Sequence, residues 1–334
     1  MNWTEGRAVI KRENILSANL EVIFLLFIST IVVSFYRFGD SENFIDSTLY
    51  VEIANFFRGN AQLNDLNPPF SFRPLVPFTV SLLPFSIPTG FGIVNTLFIF
   101  LSSLVLFAFL KELQFSKKFS LIGSLLFIFS FPTFWYGSAC LTDATGIFFM
   151  LVGVYLIKKN YPLISIVFAT SLGVLAREMV IVLLPLYMLC DAKRSFRKLF
   201  LFAIPLIVLS LVRIYFSPKV GVHSWYWFHI SWDFVLFNLT RVDMWVTLIL
   251  TLGIFPFLII VGYLKDTWTA NIDKEDLILL KNIFISFSII PGYAFTAAYF
   301  DGRYIWVLYP VLIPLSLLGL PWLLSRFKTI ISSS

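Results

Sequence analysis

Residues 89–110 read TGFGIVNTLFIFLSSLVLFAFL, a run of 22 residues without a charged side chain. An α-helix rises about 1.5 Å per residue, so a run of this length crosses the roughly 30 Å of hydrocarbon in a bilayer. Similar apolar runs recur along the chain. Of its 334 residues, 58% are hydrophobic and 13% are charged, whereas a soluble domain carries roughly 25% charged residues. The sequence therefore predicts an all-α, polytopic integral membrane protein.

We predict about ten transmembrane helices in a single integral membrane domain, residues 1–334. The predicted spans are residues 22–37, 89–110, 119–135, 143–157, 161–176, 179–190, 199–217, 242–264, 282–299 and 303–324. The apolar segment Leu75–Ile87 is not counted, because Pro74, Pro84 and Pro88 bracket it and proline disrupts helices. We expect interfacial helices in the first outer loop, residues 38–88, and no soluble C-terminal domain.

The distribution of Lys and Arg predicts the orientation. With the N-terminus in the cytoplasm, most of the 25 basic residues fall in cytoplasmic segments, including the pairs Lys117–Lys118 and Lys158–Lys159, as the positive-inside rule requires. Counting Leu75–Ile87 as a span would place every later basic cluster outside. We therefore predict a multi-pass protein of the plasma membrane with cytoplasmic termini. The net charge of +6 is explained by orientation, so the expected partners include membrane lipids and no nucleic acid.

The same orientation places several ionisable side chains at the outer ends of spans or in outer loops. They are Asp46, Arg73, Asp143, Arg177, Glu178, Asp301 and Arg303. Ionisable groups beside apolar spans are costly unless they pair or line a water-filled cavity. A chemical site should therefore lie on the outer face, in a cavity covered by residues 38–74 and 218–241.

Asp46 is the central candidate in the first outer loop. Asp46, Tyr50 and Ala54 are spaced four residues apart, which places them on one face of a helix. The residue type and position leave three roles open for Asp46. Partial desolvation would poise it as a general base or as a ligand to a divalent cation such as Mg²⁺ or Mn²⁺. Alternatively, it caps the N-terminus of its helix.

The other candidates each have a functional and a structural interpretation. Arg73 would bind a phosphate through charge-assisted hydrogen bonds, or extend to lipid headgroups. Asp143 would take part in a site, or stabilise a helix N-terminus. The adjacent Arg177 and Glu178 favour a water-filled cavity. Arg303, which precedes Tyr304, would face a ligand or the headgroups.

Two further features carry weaker signals. His223 and His229 lie in an aromatic segment, where two histidines without further ligands favour an interfacial loop over a metal site. Asn238-Leu239-Thr240 matches a glycosylation triplet. The sequence has no Gly-rich nucleotide loop, zinc signature or serine nucleophile elbow. An enzyme of this kind would need an activated substrate carried by the membrane.

Together these motifs resemble the GT-C superfamily of membrane glycosyltransferases, which use polyprenyl-phosphate sugars. The resemblance rests on Asp46-x-x-x-Tyr50-x-x-x-Ala54 and on the segment Phe72–Pro77, whose sequence is FRPLVP. Three dipeptides recur at comparable places: Thr142-Asp143, Arg177-Glu178 and Arg303-Tyr304. In hydropathy the resemblance covers most of the chain.

The resemblance implies a catalytic role for Asp46, which would activate an acceptor hydroxyl or hold a divalent cation beside the donor phosphate. It implies that substrates are bound by Tyr50, Arg73, Asp143, Arg177, Glu178, Arg303 and Tyr304. The paired Asp-Glu of protein mannosyltransferases is absent, and Asp40 and Glu42 are the nearest pair. A lipid or glycan acceptor is therefore expected rather than a folded protein.

Two other classes of function compete with a glycosyltransferase. A transporter or lipid flippase would place ionisable groups near the midplane and often shows internal repeats, whereas here the candidates gather on one side and no repeat is visible. A non-catalytic assembly factor would tolerate replacement of each outer charge. The expected function remains sugar transfer at the outer face.

Overall fold

The computed structural model describes residues 12–191, 196–217, 230–265 and 272–333, with side chains in 20–191, 200–217, 230–265 and 272–324. Every regular element in these ranges is a helix, and they contain no strand. The prediction of an all-α protein is therefore confirmed.

The helices are numbered here in chain order. The first half contains α1 Arg12–Ser34, α2 Ile45–Phe57, α3 Leu75–Ser81, α4 Ile87–Glu112, α5 Lys117–Ile128, α6 Phe131–Tyr136, α7 Asp143–Lys158 and α8 Leu163–Ala176. The second half contains α9 Leu183–Cys190, α10 Phe196–Tyr215, α11 Trp232–Thr240, α12 Val242–Leu252, α13 Phe255–Leu264, α14 Lys274–Ala297, α15 Arg303–Trp306 and α16 Tyr309–Ser333. Short 3₁₀ turns include Phe35–Arg37, Phe70–Phe72 and Glu178–Val182.

Three segments in the described ranges are long and apolar enough to cross a membrane: Leu20–Arg37, Ile87–Glu112 and Lys274–Ala297. The bent pair α11 and α12 would make a fourth. Each of the three long segments Leu20–Arg37, Ile87–Glu112 and Lys274–Ala297 carries exposed bulky apolar side chains, among them Phe24, Leu97 and Ile285. An exposed apolar surface of this kind suits lipid. The structure thus supports a helical membrane protein, whereas the ten spans stay a prediction.

The helix boundaries differ from the predicted spans where the chain bends. The predicted span 119–135 consists of α5 and α6, with a break before Pro132. The predicted span 242–264 breaks at Gly253, whose φ of +48° lies in the left-handed region. Within the predicted outer loop 218–241, α11 forms and meets α12 at an angle of 76°. Pro132 and Gly253 account for the first two breaks, because neither proline nor glycine continues a helix without cost, whereas the bend between α11 and α12 lies at Arg241.

The first outer loop does contain helices, as predicted. The inner face of α2 carries Ser47, Tyr50, Ile53 and Ala54, which are all buried. Arg58, directly after α2, donates hydrogen bonds to the carbonyl oxygens of Leu83 at 3.0 Å and Phe85 at 2.8 Å. This side chain binds the segment that follows α3 and so holds the two helices together.

The segment that leads into α7 is held by a buried amide. Asn95 of α4 is fully buried, and its Nδ2 donates to the carbonyl oxygens of Ala139 at 2.7 Å and Leu141 at 2.9 Å. The Cys140 amide also donates to the carbonyl oxygen of Asp40 at 3.0 Å. These bonds fix the start of α7, where Asp143 lies.

We predict that Asn95→Leu destabilises the protein. The variant keeps the approximate side-chain size but removes the donor of both bonds. The Ala139 carbonyl oxygen keeps the Leu141 amide at 2.7 Å, whereas the Leu141 carbonyl oxygen loses its partner, and an unpaired buried group costs about 1–3 kcal/mol. The free energy of unfolding, measured by reversible unfolding in mixed micelles, should fall by roughly 2 kcal/mol. Asn64→Leu is the matched control, because Asn64 is exposed. Equal stability of the two variants would contradict this role for Asn95.

Candidate functional site

The eight predicted site residues lie together, although they come from five parts of the chain. Asp46 and Tyr50 belong to α2, and Arg73 lies two residues before α3. Asp143 begins α7, while Arg177 and Glu178 follow α8. Arg303 and Tyr304 begin α15. The contacts form three groups, each built around one arginine.

The first group is built around Arg73, which is buried. Its Nε and Nη2 donate to the two carboxylate oxygens of Glu178 at 2.7 Å and 2.6 Å. Its Nη1 donates to the hydroxyl of Tyr50, which also accepts a bond from Thr142 Oγ1 at 3.4 Å. This paired geometry uses the planar fork of a guanidinium, which a lysine does not have.

The second group joins Asp46 to Arg303, 257 residues later in the chain. Arg303 Nη1 donates to Asp46 Oδ2 at 2.8 Å. The Nε of the same arginine donates to Asp301 Oδ2 at 2.9 Å, and its backbone amide donates to Asp301 Oδ1 at 2.8 Å. The guanidinium also lies 5.3 Å from the centre of the Tyr136 ring. Arg303 thus bridges two carboxylates beside an aromatic ring.

The third group pairs Arg177 with Asp143, and both side chains are at least 96% buried. Arg177 Nη1 lies 2.5 Å from Asp143 Oδ2. The angles at this contact are not those of a hydrogen bond, and within the described residues neither Asp143 Oδ2 nor Arg177 Nε has a hydrogen-bond partner. A Cβ atom added at Gly146 would lie 3.0 Å from Arg177 Cβ. Glycine at this position therefore makes room for the arginine.

The three arginines shape the electrostatics around Asp46. Burial raises the pKa of the Asp46 carboxyl, but the charge and hydrogen bond of Arg303 and the charges of Arg73 and Arg177 outweigh this effect. The pKa of Asp46 consequently lies below its ordinary value. Burial raises the pKa of Asp301 above its ordinary value, and the charge of Asp143 adds to this although Arg303 opposes it. Asp46 is the ionised and more accessible carboxylate, since 26% of its side chain is exposed.

One of the three roles considered for Asp46, that of helix cap, does not fit this geometry. The N-cap position of α2 is Phe44, and no side chain caps the helix there, so Asp46 is not the cap. The described residues contain no group of three or more His, Cys, Asp or Glu side chains that could hold a metal ion. The charges that lower the pKa of Asp46 most are those of Arg303, Arg73 and Arg177. The arrangement fits a carboxylate that accepts a hydrogen bond or a proton.

The residues predicted to be catalytic or to bind substrate did not include Asp301, Thr142 or Tyr136, although Asp301 was among the ionisable side chains expected at the outer face and Thr142 belonged to the Thr142-Asp143 dipeptide. Asp301 lies two residues before Arg303 and Thr142 lies one residue before Asp143, so proximity to a candidate was the available signal for these two. Tyr136 lies seven residues before Asp143, where proximity gives no comparable signal. Tyr304 follows Arg303 at the start of α15, and its ring stacks on the ring of Phe300 with the ring centres 5.7 Å apart.

The remaining candidates lie elsewhere. His223 and His229 fall outside the described residues. Asn238 of the glycosylation triplet is fully buried and hydrogen-bonded, which a glycosylated asparagine on the surface would not be.

Comparison of the chain with models of known protein families and with curated proteins found no match.

We predict that Arg73→Met lowers the free energy of unfolding by about 3 kcal/mol, because removing one partner of a buried ion pair leaves the other charge uncompensated. Glu178 is partly exposed, with 22% of its side chain accessible, so the lower end of the usual range applies. Unfolding in mixed micelles measures the change.

The double variant Arg73→Met with Glu178→Gln serves as the control, since it removes both charges. Its stability should recover by more than half. A double variant as unstable as Arg73→Met would show that Arg73 stabilises the protein through contacts other than its charge.

Proposed function

We propose that this protein is a membrane glycosyltransferase that moves a sugar from a polyprenyl-phosphate donor to a lipid or glycan acceptor. The observation that carries the proposal is the ion pair between Asp46 and Arg303, set among further arginines that the chain gathers from distant segments. A carboxylate beside several cations suits the transfer of a group away from a phosphate. The proposal places the site on the outer face of the plasma membrane, with both termini in the cytoplasm.

Asp46 is assigned the role of general base. Its partial exposure leaves an oxygen within reach of an acceptor hydroxyl, while its lowered pKa keeps it ionised at neutral pH. A base of this kind acts by accepting the hydroxyl proton as the new bond forms. Tyr50 and Arg73 support the helix that carries it, through the hydroxyl contact described above.

Arg177 is assigned to the donor phosphate. Arg73 is engaged by Glu178 and Tyr50, and Arg303 by Asp46 and Asp301. Arg177 contacts Asp143 alone among the described acids, and its Nε donor is buried without a partner. A buried donor without an acceptor is costly, and a phosphate oxygen would satisfy it.

The reaction would proceed in one displacement. The acceptor oxygen forms a bond to the anomeric carbon of the sugar as the bond from that carbon to the phosphate oxygen breaks. The acceptor proton moves to Asp46, and the electron pair leaves with the polyprenyl phosphate. Arginine side chains stabilise the charge that grows on the phosphate, an effect that is larger in a site shielded from water.

We predict that Asp46→Asn abolishes transfer while the protein still folds. The amide keeps the size of the carboxylate but cannot accept the proton, and loss of a general base typically lowers the rate by roughly 10²–10⁴-fold. Purified protein with labelled polyprenyl-phosphate sugars provides the measurement. Glu52→Gln is the matched control, because Glu52 lies in the same helix and is not one of its buried residues.

The same assay separates the competing functions. Full activity of Asp46→Asn would remove Asp46 from the mechanism. Movement of the labelled lipid across proteoliposomes without any glycosylated product would identify a flippase and overturn the proposal.

We predict that Arg177→Lys raises the KM for the donor by about tenfold or more with a smaller change in kcat. Lysine retains the charge beside Asp143 but lacks the Nε–H donor. A hydrogen bond to a charged group contributes roughly 1.5–3 kcal/mol, and 1.4 kcal/mol corresponds to a factor of ten. Steady-state kinetics with varied donor provides the test. An unchanged KM would mean that the phosphate is bound elsewhere.

A further inference from the structure

Asn238 lies at the end of α11 and is the one residue of that helix that is fully buried. Its Nδ2 donates to the carbonyl oxygens of Phe295 and Ala298, both at 2.9 Å. Its Oδ1 accepts from the Phe300 amide at 3.1 Å and from Arg241 Nη1 at 3.2 Å. An asparagine side chain has two donors and two acceptor positions, and here all four are used.

These bonds hold the segment that leads into Arg303. Residues 298–302 connect α14 to α15, and three of the four bonds of Asn238 end on the backbone of residues 295–300. Arg241 Nη1 adds a bond to the Phe300 carbonyl oxygen at 3.2 Å, and the Gly302 amide donates to Thr247 Oγ1 at 3.2 Å. The bend between α11 and α12 is therefore attached to the connection on which Arg303 depends.

The close fit at Gly302 leaves this connection little freedom. A Cβ atom at Gly302 would lie 2.2 Å from Thr251 Oγ1 and 2.6 Å from the Thr247 carbonyl oxygen, so α12 packs directly on the backbone beside Arg303. A displacement of residues 298–302 would move the guanidinium away from Asp46. Elsewhere in the connection, Asp301 holds Arg303 from its own side.

We propose that Asn238 is a positioning residue, which holds Arg303 against Asp46 by fastening residues 295–302 to α11. The expected effect of Asn238 on the reaction rate rests on the proposed function. The role of Asn238 in holding Arg303 in place rests only on the Asp46–Arg303 ion pair. It also gives the triplet Asn238-Leu239-Thr240 a different meaning from glycosylation, because the amide that would carry a glycan is fully occupied inside the protein.

The test compares Asn238→Asp with Thr240→Ala. Asn238→Asp keeps the shape but replaces two donors by an oxygen facing two carbonyl oxygens, whereas Thr240→Ala removes the triplet and leaves Asn238 intact. Asn238→Asp should lower kcat on the order of 10–100-fold, the loss typical of a displaced catalytic group. The acid limb of the pH–rate profile should move to higher pH, because Arg303 lowers the pKa of Asp46. Thr240→Ala should leave the rate and the profile unchanged.

A second measurement does not depend on activity. The coupling between Asp46→Asn and Arg303→Met in unfolding experiments, obtained from a double-mutant cycle, should be lost in the Asn238→Asp background and retained in the Thr240→Ala background. Should Asn238→Asp fail to fold, Thr247→Val is the milder variant, since it removes only the acceptor for the Gly302 amide.

The outcomes separate the two proposals. A wild-type protein that transfers no sugar would overturn the proposed function, while loss of coupling in Asn238→Asp would still support the positioning role. Retained coupling, or a glycan found on Asn238 of the folded protein, would overturn the positioning role whether or not transfer occurs.

Discussion

Arginine keeps its positive charge at any pH that a protein tolerates, and burying that charge without a partner costs several kcal/mol. Arg73, Arg177 and Arg303 lie buried or nearly so. Each arginine must therefore pair with a carboxylate. Apart from Asp301, which is close to Arg303 in sequence, the carboxylates that pair with these arginines come from distant parts of the chain. This requirement ties together α2, α7, the end of α8 and the start of α15. The site and the fold consequently depend on the same ion pairs.

The pairing also limits what the site can bind. Four carboxylates, those of Asp46, Asp143, Glu178 and Asp301, face three arginines, so the free site does not carry excess positive charge when all are ionised. In the proposed reaction the donor phosphate would take the unpartnered Nε donor of Arg177 and would share that guanidinium with Asp143 rather than enter a vacant cationic pocket. Burial raises the pKa of Asp301, which lessens the negative charge that an incoming anion would meet. Under the proposed function, this sharing of Arg177 would favour the transition state, in which negative charge grows on the departing phosphate, since only interactions stronger in the transition state accelerate a reaction.

The sequence predicted the helical class and the residues that converge, but not the contacts that position them. Apolar runs and charge placement depend on local composition, so helices near 89–110 and 143–157 could be located closely. The pairing of Asp46 with Arg303 spans 257 residues, and neither local spacing nor periodicity specifies which arginine a carboxylate meets. The structural roles of Asn95 and Asn238 could not be predicted from the sequence, because each depends on the backbone carbonyl groups that surround the buried amide in the folded protein. The helix breaks near Pro132 and at Gly253 could have been predicted from these two residue types, but the continuous apolar pattern led to a single predicted span in each place.

The two ends of α7 carry different kinds of charged residue, an aspartate paired with an arginine at one end and a lysine at the other. Asp143 begins this helix beside Arg177, and Lys158 ends it in an ion pair with Asp276 of α14. Sixteen residues separate the ends by roughly 24 Å at 1.5 Å per residue, a large part of the thickness of a bilayer. Lysine, a flexible and strongly hydrated point charge, suits the end where Lys159 is partly exposed and pairs with Glu112, while Lys158 is mostly buried there with Asp276. Arginine, with a planar fork of donors, suits the end where charges are buried and must be oriented. The proposed sugar transfer depends on that orientation, because it requires a base and a phosphate-binding group to face one reacting centre together.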